Sequence, residues 1–149
     1  MSAEYNLSDS LGYRLTLLSR INERRFETML TPLGLTRVTW CVLLAIGQEG
    51  LQSPSEIAEW IGIDRTATSR ALRGLERHKL IERRSGTQDK RTKIVDISKA
   101  GAAALADANQ AARQNSGHFK SKLTWYEQDM LSTIIQKLIQ DEIRDIPSL

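Results

Sequence analysis

The chain has one cysteine, Cys41, two histidines and three prolines in 149 residues, and only 5% of it is aromatic. A lone thiol cannot form an internal disulfide, and one Cys with the separated His78 and His118 lacks the clustered spacing of a zinc site. Stability must come from packing, and no metal or cofactor is expected. The longest apolar run, Trp40 to Ile46, falls far short of the roughly 20 residues that cross a hydrocarbon core as a helix, so no membrane partner is expected. Glu4 and Asp9, with no apolar stretch behind a basic start, do not read as a secretory signal, and a cytoplasmic location is the expectation. There is no Gly-rich phosphate loop and no G-x-S-x-G motif, and nothing selects a catalytic pair among the scattered carboxylates, so an enzyme is not expected.

What the chain does have is positive charge in one place. The net charge is only +3, yet between Asp64 and Lys93 ten basic residues stand against four acidic ones, a surplus of six. The remaining 11 basic and 14 acidic residues leave the rest at −3. A polyanion partner fits this concentration; on charge alone a solvated basic face fits equally well. The length and the 40% hydrophobic content suit one helix-rich unit.

Apolar spacings of three and four from Ser8 to Leu30 predict a long helix, ended by Thr31, Pro32 and Gly34. A second helix, from about Thr36 to Gln48, is apolar on most sides and is predicted to be the most buried element. Ser53, Pro54 and Glu56 predict a capping box opening a short helix that stops at Gly62. Asp64 then caps a fourth helix, to about His78, and the short break between the two is a helix-turn-helix arrangement. Leu80 to Arg84 and Lys93 to Ile97 read as strands joined by turn chemistry at Ser85-Gly86-Thr87-Gln88-Asp89, a hairpin or wing. Ser98 caps a fifth helix to about Lys122, with Ser116-Gly117 read as a point where it bends or frays. Thr124 and Glu127 predict a capping box for a last helix, Trp125 to about Asp145. The fold class is thus mainly α with a small β-hairpin wing.

On the fourth helix, at about 100° per residue, Arg65, Thr66, Ser69, Arg70 and Arg73 share one face while Thr68, Ala71 and Leu75 lie opposite. Arg matches the guanine edge bidentately, and Thr and Ser reach phosphates or either base type, so this face suits the major groove of double-stranded DNA. An ordinary surface helix would mix Glu with Lys, whereas the only acid near this face is Glu76. Ser53 and Ser55 at the start of the preceding helix join the candidate contacts. So do Lys90 and Arg91 in the wing and Arg84 at its base, within reach of the adjacent minor groove or its phosphates. Asp89 would be repelled by phosphate and reads as a residue that orients the wing, through a turn cap or an ion pair with a neighbouring Arg.

These motifs resemble the winged helix of the MarR family. The likeness is carried by Ser53-Pro54-Ser55-Glu56-Ile57-Ala58, by Thr68 to Glu76, by Leu80-Ile81-Glu82-Arg83, and by Asp89-Lys90-Arg91 followed by an apolar strand and Ser98-Lys99-Ala100-Gly101. The resemblance implies one unit over 1–149, with a DNA-binding winged helix at 36–97 and dimerisation helices at 1–35 and 98–149. It implies a homodimeric regulator, usually a repressor, on a palindromic operator with half-sites roughly 34–36 Å apart. Two positions depart from the family pattern. Lys79 stands where glycine commonly ends the recognition helix, so either a non-Gly residue turns left-handed or the turn differs. Ser85 and Thr87 replace prolines frequent in the wing.

The family also implies a small aromatic or phenolic effector between the dimer helices and the winged domain, with Tyr13, Arg14, Met29, Arg37 and Trp40 as candidate lining residues; aromatics at helical spacing are more often core than pocket. Two alternatives stand beside this one. Some relatives switch by cysteine oxidation, although Cys41 lies in the apolar Trp40-Cys41-Val42-Leu43-Leu44, where a thiolate is disfavoured. A non-specific architectural DNA binder would need only the basic charge.

Overall fold

The computed structural model describes residues 5–86 and 93–142. Among them are six α-helices and one two-stranded antiparallel hairpin: α1 (Leu11–Leu30), α2 (Arg37–Gly47), α3 (Pro54–Ile61), α4 (Arg65–Arg77), β1 (Ile81–Ser85), β2 (Lys93–Ile97), α5 (Lys99–Lys120) and α6 (Trp125–Ile139). Short 3-10 turns at Leu7–Asp9 and Thr31–Leu33 flank α1. The expected mainly helical class with a small hairpin is what the chain adopts.

Side chains close most helix starts. Ser10 accepts from the Tyr13 N–H, Asp64 from Ala67 at 2.7 Å and Ser98 from Gly101 at 3.0 Å. Thr124 and Glu127 form the reciprocal box of α6, and the backbone and side-chain hydrogen bonds from Thr124 hold the Glu127 carboxyl below its ordinary range. A second box, Thr36 with Thr39, opens α2; sequence patterns look for Glu or Gln at the latter position and pass over it. The box expected at Ser53 does not form. Its hydroxyl is hydrogen-bonded to that of Ser55 (2.7 Å), so Ser53 makes no side-chain cap bond and Glu56 stays exposed.

Two helix lengths differ from the periodicity. The last helix ends at Ile139, not near Asp145, because Gln140 is extended (ψ 132°) and Asp141 left-handed (φ 64°). The fifth ends at Lys120 and runs through Ser116-Gly117 without fraying. Just before that point the buried Asn115 donates from Nδ2 to Asn22 Oδ1 on α1 at 2.7 Å, which ties the two helices together.

At the end of α4, Lys79 takes the left-handed option, with φ 59°. Its N–H bonds to Glu76 O and the Leu80 N–H reaches back to Leu75 O, both at 2.9 Å, the pair of bonds that glycine usually closes. A side chain costs about 1–2 kcal/mol in that conformation. The buried Leu75 and Ile81 on either side hold the turn in place. The strands pair Ile81 with Ile97 and Arg83 with Val95, and the Val95 N–H also donates to Gln52 O (2.9 Å), laying that segment along β2.

Helix α2 is the centre of the core, with Cys41, Val42, Leu43 and Ala45 fully buried and α3, α4, α5 and β2 around it. Leu30, Ile57, Ile61, Leu72, Leu75, Ile81, Val95 and Leu105 are among the other members of the cluster. Each fully buried Leu or Ile contributes about 1.5–3 kcal/mol. Helix α6 is the exception, for it buries none of its residues. Met130, Leu131, Ile134, Ile135, Leu138 and Ile139 are all exposed along it, and Leu11, Leu15, Leu18 and Ile21 are exposed along α1. No single described helix is long and apolar enough to cross a membrane; α1 and α2 pass that test only as a pair, bent by 72°.

Candidate nucleic-acid interface

Helix α4 has two unlike sides. Thr68, Ala71, Leu72 and Leu75 are buried, and the Thr68 hydroxyl is taken up by Asp64 O at 2.9 Å, so this side is committed to the core. Arg65, Thr66, Arg70 and Arg73 are exposed and Ser69 is half-buried. Arg73 Nε touches Ser69 O at 3.3 Å, a local bond that leaves the other guanidinium nitrogens free for an acceptor outside the chain. Arg77, in the last turn of α4, is also exposed and adds to the positive charge between Asp64 and Lys93.

The neighbouring candidates fall differently. Ser53 is half-buried and Ser55 exposed at the start of α3, and their hydroxyls bond to one another. Arg84 is exposed on β1, but its Nε donates to Asp96 Oδ2 at 2.7 Å. Asp96 in turn accepts from Gln52 Nε2 at 2.5 Å, so part of the Arg84 charge is already met within the chain. Lys90, Arg91 and the proposed orienting residue Asp89 lie outside the described residues. One residue was not singled out: Arg83, two positions after the buried Ile81, turns inward and meets Glu76 of α4 at 3.3 Å. The period of two along a strand was the available signal for that inward position.

Residues 33–92 match the MarR family. Over most of its length the chain is also similar to solved regulators. One is a probable transcriptional regulator from Pseudomonas aeruginosa (25% identity, 90% of this chain and 100% of that one, TM-score 0.76). Another is the reduced form of MarR from E. coli (25%, 87% and 96%, TM-score 0.77). A third is the transcriptional repressor CouR bound to a 23-mer DNA duplex (26%, 93% and 100%, TM-score 0.76). Residues 33–92 of the chain are thus similar to the MarR family, and its fold is that of these solved regulators. MarR-family proteins are DNA-binding transcriptional regulators with a winged-helix fold, and α4 with the hairpin after it is the corresponding part of this chain.

The chain also has a cavity of about 660 Å³ between α1, α2, α5 and α6. Its walls include the apolar Leu15, Leu18, Phe26, Phe119, Leu131 and Ile135, with Glu23, Arg37 and Lys120 among the polar groups. Of the five residues considered for an effector site, Arg37 and Trp40 line this cavity. Arg37 is held from both ends: its Nη1 donates to Glu23 Oε1 (2.7 Å) and its backbone N–H to Glu27 Oε1 (2.8 Å). Trp40 stands edge-on to Phe26 and donates from Nε1 to Asn109 Oδ1 at 2.9 Å. Tyr13, Arg14 and Met29 are elsewhere. Tyr13 is exposed in the first turn of α1, Arg14 pairs with Asp9 at 2.9 Å, and Met29 packs against the core. The other wall residues come from α1, α5 and α6, whose apolar positions meet only after those helices have assembled.

Cys41 is fully buried, and burial pushes its thiol from about 9 up to about 11 despite the nearby Arg37 guanidinium. Such a thiol is almost wholly protonated at neutral pH and shielded from peroxide, which weighs against the redox reading. His78 caps the end of α4, with Nδ1 2.8 Å from Gly74 O, and His118 lies in the last turn of α5, where desolvation, Arg25 and Lys122 lower its pKa. Among the described residues, no three His, Cys, Asp or Glu side chains gather as a metal-binding group.

Proposed function

We propose that this chain is a homodimeric transcriptional repressor, acting in the cytoplasm, that binds a palindromic operator through α4 in the major groove. The observation that carries the proposal is the division of α4: one side buried in the core, the other an exposed row of Arg65, Thr66, Arg70 and Arg73 with Ser69. The likeness to CouR, solved on a DNA duplex, supports the same use of the helix. In this reading residues 36–97 read DNA, with Ser53, Ser55, Arg84, Lys90 and Arg91 on phosphates and Asp89 orienting the wing. Residues 1–35 and 98–149 join two copies. The apolar rows left exposed on α1 and α6 support that second role, because a single protomer leaves them in water.

The test is selection of bound fragments from a random DNA pool at moderate salt. The expected motif is an inverted repeat with half-site centres roughly 10 base pairs apart. It should be preferred over scrambled DNA by about a thousandfold or more. Arg70→Ala or Arg73→Ala should each cost about 1–3 kcal/mol on the operator and relax base preference, whereas Lys90→Ala should weaken all sequences alike. Equal losses on every DNA for all three variants would sink this division of labour. If affinity tracks only DNA length, the architectural reading replaces the specific one.

The cavity supports a second element of the proposal, release by a small aromatic or phenolic acid. Its volume lies within the usual range for such ligands, roughly 300–1,000 Å³. Its apolar walls suit a ring, and Arg37 could exchange the Glu23 carboxylate for one on the ligand. Since only differential affinity for two states moves an equilibrium, the ligand must fit the DNA-free arrangement better. Titration with hydroxybenzoic acids should raise the melting temperature and weaken operator binding, and Arg37→Ala should blunt both responses. No shift in either quantity at millimolar ligand would remove the effector from the proposal.

A further inference from the structure

Arg83 is an inward-facing arginine of the winged helix to which no DNA contact is assigned. It follows Ile81 on the inner face of β1, opposite Val95, and both of those neighbours are buried. The Arg83 side chain is itself only 19% exposed. Its Nε and Nη2 are shielded from water and meet no aligned acceptor among the described residues, and the 3.3 Å approach to Glu76 Oε2 is an ion pair without hydrogen-bond alignment. Shielded, poorly partnered guanidinium nitrogens oppose folding, so packing alone does not account for an arginine here.

Glu76 is the only acidic residue within α4. It is 43% exposed and lies three residues after Arg73, and residues three apart are neighbours on a helix surface. A carboxylate in that position has two choices. It can pair with Arg73 and draw that side chain off the exposed face, or it can be taken up from the other side. Left free, it would also repel a phosphate backbone.

We propose that Arg83 is a positioning residue for DNA recognition: by taking up the Glu76 carboxylate it keeps Arg73 free to reach DNA and holds β1 against the end of α4. The inference rests on α4 being the recognition helix. The Arg83 guanidinium would touch no DNA itself and would act only through Glu76.

The test combines removal with rescue, using the full chain and the operator selected as above. Arg83→Met retains most of the length of the side chain and removes the charge, and it should weaken operator binding about tenfold, the size of one lost charged contact. Adding Glu76→Gln to Arg83→Met should restore affinity to within about threefold of the original, because a neutral amide competes poorly for Arg73. Arg83→Lys should stay close to the original, since the cation remains. A purely structural role would give a loss that Glu76→Gln does not rescue, and that result overturns the proposal, as does an Arg83→Met protein that binds with full affinity. Should Arg83→Met melt too low to assay, Arg83→Lys/Glu76→Gln against Arg83→Lys alone decides by the same criterion: any loss in Arg83→Lys must be recovered. Full affinity in Arg83→Lys then supports the role of the charge, and an unrecovered loss refutes it. A parent protein that selects no operator refutes the recognition-helix reading, and the role of Arg83 falls with it.

Discussion

Gly101→Ala should destabilise the protein by about 3 kcal/mol or more, although helix propensity alone argues for a gain of up to about 1 kcal/mol. A Cβ on Gly101 would fall 1.9 Å from the carbonyl oxygen of Leu80 and 2.9 Å from Ile97 Cγ1. The first clash is with backbone, which cannot swing aside as a side chain does. That carbonyl is also held by the Ser98 N–H at 3.0 Å and follows directly on the left-handed Lys79. Relief would require lifting the first turn of α5 off the turn that joins α4 to the hairpin. Urea unfolding gives the measurement, with Gly74→Ala as the control: nothing lies within 4 Å of a Cβ there, so that substitution should stabilise by up to about 1 kcal/mol. A Gly101→Ala protein as stable as its parent would mean that α5 does not begin against Leu80.

The second large effect concerns α6. Ile134→Glu with Leu138→Glu should convert the protein to a monomer and reduce operator affinity by a factor of roughly 10² to 10⁴, the span by which linked binding exceeds single-site binding. The two side chains are 45% and 46% exposed and lie one turn apart, and the helix buries nothing in its own protomer. The winged helix should therefore keep its helical circular-dichroism signal while losing the second half-site. Light scattering on the purified variant separates the possibilities. A dimer that retains full operator affinity would show that copies do not associate through this face.

Much of the fold was legible because local rules and tertiary packing agree. Asp64, Ser98 and Thr124 cap the helices they precede, Gly62 stops α3 at φ 78°, and the apolar Trp40 to Ile46 run falls in the central helix. Disagreement arose where two local options compete. At Ser53 a neighbouring hydroxyl intercepted the cap, and at Asp141 a left-handed residue ended a helix whose apolar repeat continues to Ile143. The candidate site was legible on α4, since one helical face needs only spacing and residue type to define it. The cavity was not, because two of its five anticipated residues line it and the others do not.

The sequence by itself determined the order of elements, the concentration of positive charge between Asp64 and Lys93, and which side of α4 faces out, all of them consequences of spacing along a regular backbone. Tertiary structure alone decided that Glu76 is the partner of the inward Arg83, that Asp96 takes up Arg84, and that four helices line a cavity beside Arg37 and Trp40. It likewise made glycine necessary at position 101. These depend on distances between residues on different elements, which the periodicity of one element does not encode.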